Sequence, residues 1–226
     1  MPLAIFDLDE TLIHGDCASL WSAYMARIGW VDPDTFVARD IQLMSLYSAG
    51  KLAMEEYMTF SLAPLIGRTP AELEGQVSRY IDEVIEPLFY PGARAAVNAH
   101  AQAGDRLLVI SASAAFLVKP IAERLGIDAA LAIDLEVIDG RYSGRTTGVL
   151  TYREGKVIRL ADWLESEGET LADASFYSDS RNDLPLLQRI SQPIAVNPDE
   201  VLLAHAQAAG WSVLDWQLCT SAASAH

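Results

Sequence analysis

Positive charge is scarce in this chain: 16 lysines and arginines stand against 31 aspartates and glutamates, a formal net charge of −15 over 226 residues. So acidic a chain has no basic face for a phosphate backbone, and nucleic acid is not an expected partner. Cysteine is scarce too. Cys17 and Cys219 lie far apart and outside any CxxC pair, which fits reduced thiols in a cytoplasmic protein better than a disulfide framework or a thiolate metal site. The four histidines (His14, His100, His205, His226) are scattered, so no imidazole cluster is expected. No apolar run approaches the ~18 residues of a membrane span. The strand pattern starts at residue 3 and leaves no room for a signal peptide. Internal repeats and low-complexity tracts are absent as well.

What is present is a core. Apolar residues make up 51% of the chain, enough for one packed domain carrying a smaller insertion. After residue 90, strand-like and helix-like segments alternate. Strands are expected at 106–111, 174–180, 193–198 and 211–216, and helices at 114–126, 154–168, 182–190 and 199–210. Residues 130–148 read as a hairpin around Asp139-Gly140. Such alternation predicts a parallel sheet covered on both faces. Residues 16–88 show helical periodicity without a strand, and Thr69-Pro70 with Glu72 is a good helix start. The expected fold is therefore α/β, a Rossmann-like parallel core (1–15 and 89–226) with an inserted helical cap (16–88). A monomer or homodimer is expected.

Several expected strands end in polar groups. The first, "LAIF", runs directly into Asp7 and Asp9; the second ends at Ser111; a later one ends at Asp179 with Asp183 close behind, and Lys156 opens the helix before it. Ligands of open parallel sheets gather outside the carboxyl ends of the strands. Carboxylates converging there repel one another and are costly to desolvate, a cost that a bound divalent cation removes. Oxygen donors without a histidine or cysteine cluster favour Mg²⁺. With that ion, one aspartate can attack phosphorus and a second, two residues on, can protonate the leaving oxygen and then activate water.

"DLDET" at 7–11, "VISAS" at 109–113, Lys156 and "SDSRND" at 178–183 together resemble the haloacid dehalogenase superfamily of phosphatases, in the family's order and across most of the chain. The insertion resembles that family's first cap class (C1), and the layout is similar to phosphoserine phosphatase-like members. The resemblance implies Asp7 as nucleophile and Asp9 as general acid and base. It implies Thr11 and Ser111, with Ala112, as phosphate-gripping or loop-ordering positions, and Lys156 as the neutralising ammonium. Asp7, Asp179 and Asp183 would serve the Mg²⁺ site together with Asp9, which in such enzymes gives its carbonyl, and Asn182 would be a polar neighbour of the phosphate. Two departures stand out. "SDS" replaces the more usual "GDG", with less backbone freedom, and Ser111-Ala112-Ser113 replaces a serine followed by two glycines.

The same resemblance bears on the substrate, expected to be a small phosphomonoester. Asp16 falls where phosphoserine phosphatases carry a glutamate for the substrate ammonium. The position of their carboxylate-binding arginine falls near Ser61, with Arg68 and Arg79 downstream and Arg39 upstream as alternatives. An ammonium partner without a carboxylate partner suits an amino-alcohol phosphate such as histidinol phosphate, against which Trp21, Tyr24, Trp30, Tyr47 or Tyr57 would stack or else simply pack the cap. Phosphoserine is the alternative substrate. A phosphonatase would need a cap lysine, and Lys51 is the one there. The non-enzymatic alternative is a degenerate phosphate-binding or regulatory module.

Overall fold

A computed structural model describes residues 2–127 and 129–217. Cys219 lies outside them. Strand β1 (Leu3–Phe6) is buried along its whole length. Ala4 and Phe6 pack into one core cluster with Val109 and Tyr90, while Leu3 and Ile5 pack into another with Leu108, Phe176 and Leu160. This two-sided burial is why the strand reads as a continuous apolar run and not as an alternation. It is flanked by β2 (Arg106–Ala114) and β5 (Ser175–Ser178), both parallel to it. The full order is β4-β3-β2-β1-β5-β6-β7, with β3 (Ala129–Ile138), β4 (Arg141–Thr147), β6 (Gln192–Val196) and β7 (Ser212–Leu214). Only β4 runs antiparallel, as the second strand of the expected hairpin. Asp139 (φ 50°) and Gly140 (φ 75°) both take the positive φ that this two-residue turn requires.

Between β1 and β2 the chain makes four helices, α1 (Cys17–Arg27), α2 (Ala38–Ser48), α3 (Met54–Leu62) and α4 (Pro70–Tyr80), then α5 (Pro91–Ala103). Thr69 and Glu72 form a reciprocal capping box at the start of α4. The helical excursion leaves and returns through a short stem. Ile13 bridges Phe89, His14 N donates to the Leu88 carbonyl at 2.8 Å, and Tyr90 N donates to the Leu12 carbonyl at 3.1 Å. Residues 67–68 of the excursion also pair with β4, through Gly67 N to Tyr142 O and Tyr142 N to Arg68 O, each at 2.9 Å.

The remaining helices are α6 (Ala115–Arg124), α7 (Glu154–Glu167), α8 (Leu184–Leu187) and α9 (Glu200–Ala209). Most expected boundaries move by one or two residues, and three of the differences bear on the site. The second strand continues past Ser111 to Ala114 because its register against β3 shifts between Ile110 and Ala114. The expected helix over 182–190 contracts to α8, since a tight 3-10 turn at Arg181–Asp183, capped by Ser180, precedes it. The strand expected over 174–180 ends at Ser178, where the chain leaves the ladder for that turn.

Gly155, one residue before Lys156, packs against the preceding turn so closely that an added Cβ would lie 1.9 Å from the Leu150 carbonyl oxygen. Gly155→Ala is expected to lower the unfolding free energy by about 2–3 kcal/mol in urea denaturation, because backbone rather than a flexible side chain must give way. An unchanged midpoint would show that the Leu150 turn yields freely.

Candidate active site

The parallel register explains the gathering. Phe6 lies level with Val109 and with Tyr177, so the residues that follow in each strand leave the sheet at one edge. Asp7 N extends the ladder to the Tyr177 carbonyl at 2.9 Å. Into this edge α7 delivers Lys156, which is buried to 2% exposure. Its Nζ donates to Asp7 Oδ1 at 2.8 Å and reaches both oxygens of Asp183, Oδ1 at 2.7 Å and Oδ2 at 2.8 Å. Burial opposes the charge on Lys156, yet Asp183 and Asp7 outweigh it and hold the ammonium protonated well above the ordinary lysine range.

One ammonium does not balance the acids. Burial lifts the Asp7 carboxyl from its usual 3.8 to about 7; Lys156 opposes this, and the charges of Asp183 and Asp9 add to it. Asp179 is likewise pushed up, by burial and then by Asp7 and Asp183. Asp16 is raised by burial and by Asp9. The same surroundings push the Cys17 thiol up, so it is a buried, unreactive packing group.

Hydroxyls and amides hold the carboxylates in place. Asp9 accepts from Cys17 N at 2.6 Å, from Ser113 Oγ at 2.8 Å and from Ser111 Oγ at 3.3 Å. Thr11 Oγ donates to Asp179 Oδ1 at 3.2 Å and accepts from Asp179 N at 3.0 Å, locking the first motif to the last. Ser178 Oγ donates to Asp183 Oδ2 at 2.7 Å. Asn182 is buried, and its Oδ1 accepts from Tyr152 and from Arg153 Nε at 3.3 and 3.2 Å. Asp16 caps α1, accepting from Ser19 N at 2.8 Å.

A cavity of about 200 Å³ opens at this point. Asp7, Asp9, Asp16, Ala112 and Asp179 line it, joined by Glu10, Asp199 and Ser180 and, from α2, by Met44, Tyr47 and Ser48. No lysine or arginine is among the lining residues. Ser111, Thr11, Lys156, Asn182 and Asp183 stand behind the wall. A wider groove of about 480 Å³ between α4 and α6 contains none of the motif residues.

Sequence reasoning missed Ser113, Ser178, Tyr152, Arg153, Glu10 and Asp199 as parts of this site. Ser113 was legible in principle, being two residues beyond Ser111 on a strand, where side chains return to the same face. Glu10 and Asp199 sit in loops and carry no periodic signal. Of the five aromatics considered for stacking, Tyr47 lines the cavity, whereas Trp21, Tyr24 and Trp30 pack on one another. Arg68 lies over the Trp30 ring at 3.7 Å, Arg39 pairs with Glu56 at 2.6 Å, and Arg79 is exposed. Ser61 donates to the Met58 carbonyl at 3.4 Å.

Asp7 and Asp179 are the carboxylates that a cation in the cavity would relieve, because burial and neighbouring negative charge disfavour the ionised form of each. A hard divalent ion suits these oxygen donors. Among the described residues no three His, Cys, Asp or Glu side chains form a ready-made metal cluster. The geometry accounts for that: Asp9 is committed to serine hydroxyls and Asp183 to Lys156. A bound ion would therefore draw on two side chains, a backbone carbonyl such as that of Asp9, and water or substrate.

Residues 4–188 match the haloacid dehalogenase-like hydrolase family. The chain is 40% identical to a histidinol-phosphatase of Neisseria meningitidis, over 95% of this chain and 99% of that protein. It is 32% identical to a phosphoserine phosphatase of Mycobacterium tuberculosis, over 97% and 72%. Among solved structures, a Bordetella pertussis protein of unknown function superposes with a TM-score of 0.89 at 40% identity, covering 95% of this chain and 98% of that one. A phosphoserine phosphatase bearing an analogue of its phospho-aspartyl intermediate shares the fold, with a TM-score of 0.68 at 21% identity over 95% and 92%. The chain belongs to the haloacid dehalogenase-like hydrolase family and stands among its phosphatases.

Proposed function

We propose that the chain is a Mg²⁺-dependent phosphatase of a small phosphomonoester, with an amino-alcohol phosphate such as histidinol phosphate as its substrate. The observation that carries the substrate reading is the cavity wall: six acids, Asp16 among them, and no arginine or lysine to receive a substrate carboxylate. Phosphoserine would leave its carboxylate buried and unpaired among like charges, a strong penalty. An ammonium beside Asp16 meets no such obstacle, and Tyr47 offers an aromatic face. The similarity to a histidinol-phosphatase over nearly the whole of both chains points the same way.

In this reading residues 16–88 are a cap that closes the cavity over the substrate. Asp7 attacks phosphorus, the bond to the leaving alkoxide breaks, and Asp9 gives that oxygen its proton. Water then attacks the phosphorus of the aspartyl-phosphate, Asp9 takes its proton, and Asp7 is released with inorganic phosphate. Lys156 favours the anionic form of Asp7 against its burial and orients it through the 2.8 Å contact. Ser111 and Ser113 hold Asp9, while Thr11 holds Asp179. Ala112 bounds the phosphate, with Ser111 and Asn182 behind it. Phosphatases of this family are generally Mg²⁺-dependent. Here Asp7, Asp179 and the Asp9 carbonyl would hold the ion, Asp183 supporting it from its place beside Lys156, and the ion would spread the charge that develops on the phosphoryl oxygens. A cytoplasmic enzyme acting as a monomer or homodimer fits the acidic, thiol-poor composition; no described helix is long and apolar enough to cross a membrane.

Wild-type protein with MgCl₂ is expected to show a higher kcat/KM for histidinol phosphate than for phosphoserine. A preference for phosphoserine would overturn the substrate reading, and no turnover of any phosphomonoester would favour a phosphate-binding module. Asp7→Asn should cost about a thousandfold or more in kcat. Asp16→Asn should cost about tenfold in kcat/KM for histidinol phosphate, a loss of ~1.4 kcal/mol, and spare p-nitrophenyl phosphate, which has no ammonium. In the metal-free chain the raised carboxyl of Asp7 holds a proton that the unfolded chain gives up between 3.8 and about 7. Its contribution to stability therefore falls as pH rises through that window. Mg²⁺ competes with this proton, so the rise in Tm at saturating MgCl₂ should be small at about pH 5 and several degrees at about pH 8. Equal rises at both would contradict metal binding at Asp7.

A further inference from the structure

Two arginines without a part in the phosphatase chemistry converge on one turn of the helical excursion. Arg153 precedes Lys156 by three residues, and Arg181 lies between Asp179 and Asn182. Both are half-buried. Arg181 Nη2 donates to the Ala49 carbonyl at 2.9 Å, and Arg153 Nη2 donates to the Gly50 carbonyl. These carbonyls lie just past the last turn of α2, where a helix runs out of internal donors and its dipole is negative. Guanidinium groups answer both needs with charge-assisted bonds.

The turn is shaped to receive them. Gly50 takes φ +68°, and an added Cβ there would come within 2.7 Å of Arg181 Nη2 and 3.0 Å of Arg153 Nη2. On the core side, Arg153 takes φ 51° and ψ −120°, a conformation that L residues rarely adopt. From that position its Nε donates to Asn182 Oδ1 at 3.2 Å while Nη2 reaches Gly50. Tyr152 supplies the second donor to Asn182 Oδ1, at 3.3 Å, and sets its ring 5.7 Å from that of Tyr47. Tyr47 lies on α2 and lines the cavity. One set of contacts thus joins the Asn182 amide, the loop before Lys156 and the segment that walls the cavity.

We propose that Arg153 and Arg181 are positioning residues, a two-arginine latch that fastens the end of α2 to the catalytic loops. The latch rests on the reading of residues 16–88 as a cap. It keeps Tyr47, Met44 and Ser48 against the cavity. Arg153 in addition fixes the buried Asn182 amide through its carbonyl oxygen. Neither arginine touches the reacting atoms.

Hydrogen exchange followed by mass spectrometry on the full chain tests this without reference to turnover. In Arg153→Ala, in Arg181→Ala and in Gly50→Ala, which disturbs the turn while sparing both arginines, amides of residues 44–53 should exchange about tenfold faster, a bias of ~1.4 kcal/mol toward the open state. Those of β1, β5 and α7 should hold their wild-type rates. Unchanged exchange at 44–53 in all three variants, or acceleration spread evenly over the chain, would overturn the latch. Kinetics supply a second readout: Arg181→Ala should raise KM about tenfold with kcat little changed, whereas Arg153→Ala should lower kcat as well because it also frees Asn182. Identical kcat and KM effects in the two variants would overturn the dual role of Arg153. If wild-type protein turned over no phosphomonoester, the proposed function would fall while the exchange experiment still decided the latch.

Discussion

Lys156, buried between Asp7 and Asp183, is the interaction on which the acidic end of the sheet depends. Seven carboxylates gather there (Asp7, Asp9, Glu10, Asp16, Asp179, Asp183 and Asp199), and burial drives three of them, Asp7, Asp16 and Asp179, toward their protonated forms. A single ammonium cannot balance that charge, and this imbalance is the basis for proposing a cation and an ammonium-bearing substrate there. The position of Lys156 is correspondingly over-determined. Gly155 lets α7 press against the Leu150 turn, and Arg153 bears an uncommon backbone conformation directly before it.

The two departures from the family pattern have structural uses. Serines stand at 178 and 180 where glycines are more usual, yet neither takes positive φ, so the freedom of glycine is not needed. Their hydroxyls bind instead: Ser178 holds Asp183, and Ser180 caps the turn that presents Asn182. Ser113 plays the corresponding part for Asp9. Each loop gains a side-chain hydrogen bond.

Much of this was legible in the sequence. The run "LAIF" against Asp7, the Asp139-Gly140 turn and the Thr69–Glu72 cap each act through local chemistry, and each formed as read. The gathering of Asp7, Ser111 and Asp179 at one edge follows from parallel strands whose carboxyl ends share a side. What escaped depends on contacts distant in sequence. The extension of β2 to Ala114 comes from a register shift against β3, and the contraction of α8 from a turn capped by Ser180. Arg153 and Arg181 find their partners at the end of α2, 103 and 132 residues away in sequence. The aromatics of the excursion went mainly to its own packing: Trp21 stacks on Tyr24 and meets Tyr80 edge-on.

The central claim is chemical: the strand-end carboxylates and Lys156 are arranged so that Asp7 attacks phosphorus. Its most direct measurement is an acid quench of the protein during turnover of histidinol phosphate with MgCl₂, followed by peptide mass mapping. A phosphoryl group on the peptide that contains Asp7, absent in Asp7→Asn and lost at alkaline pH as an acyl phosphate should be, is the predicted result. Turnover with no phosphorylated peptide, or with the label on another residue, would contradict the account.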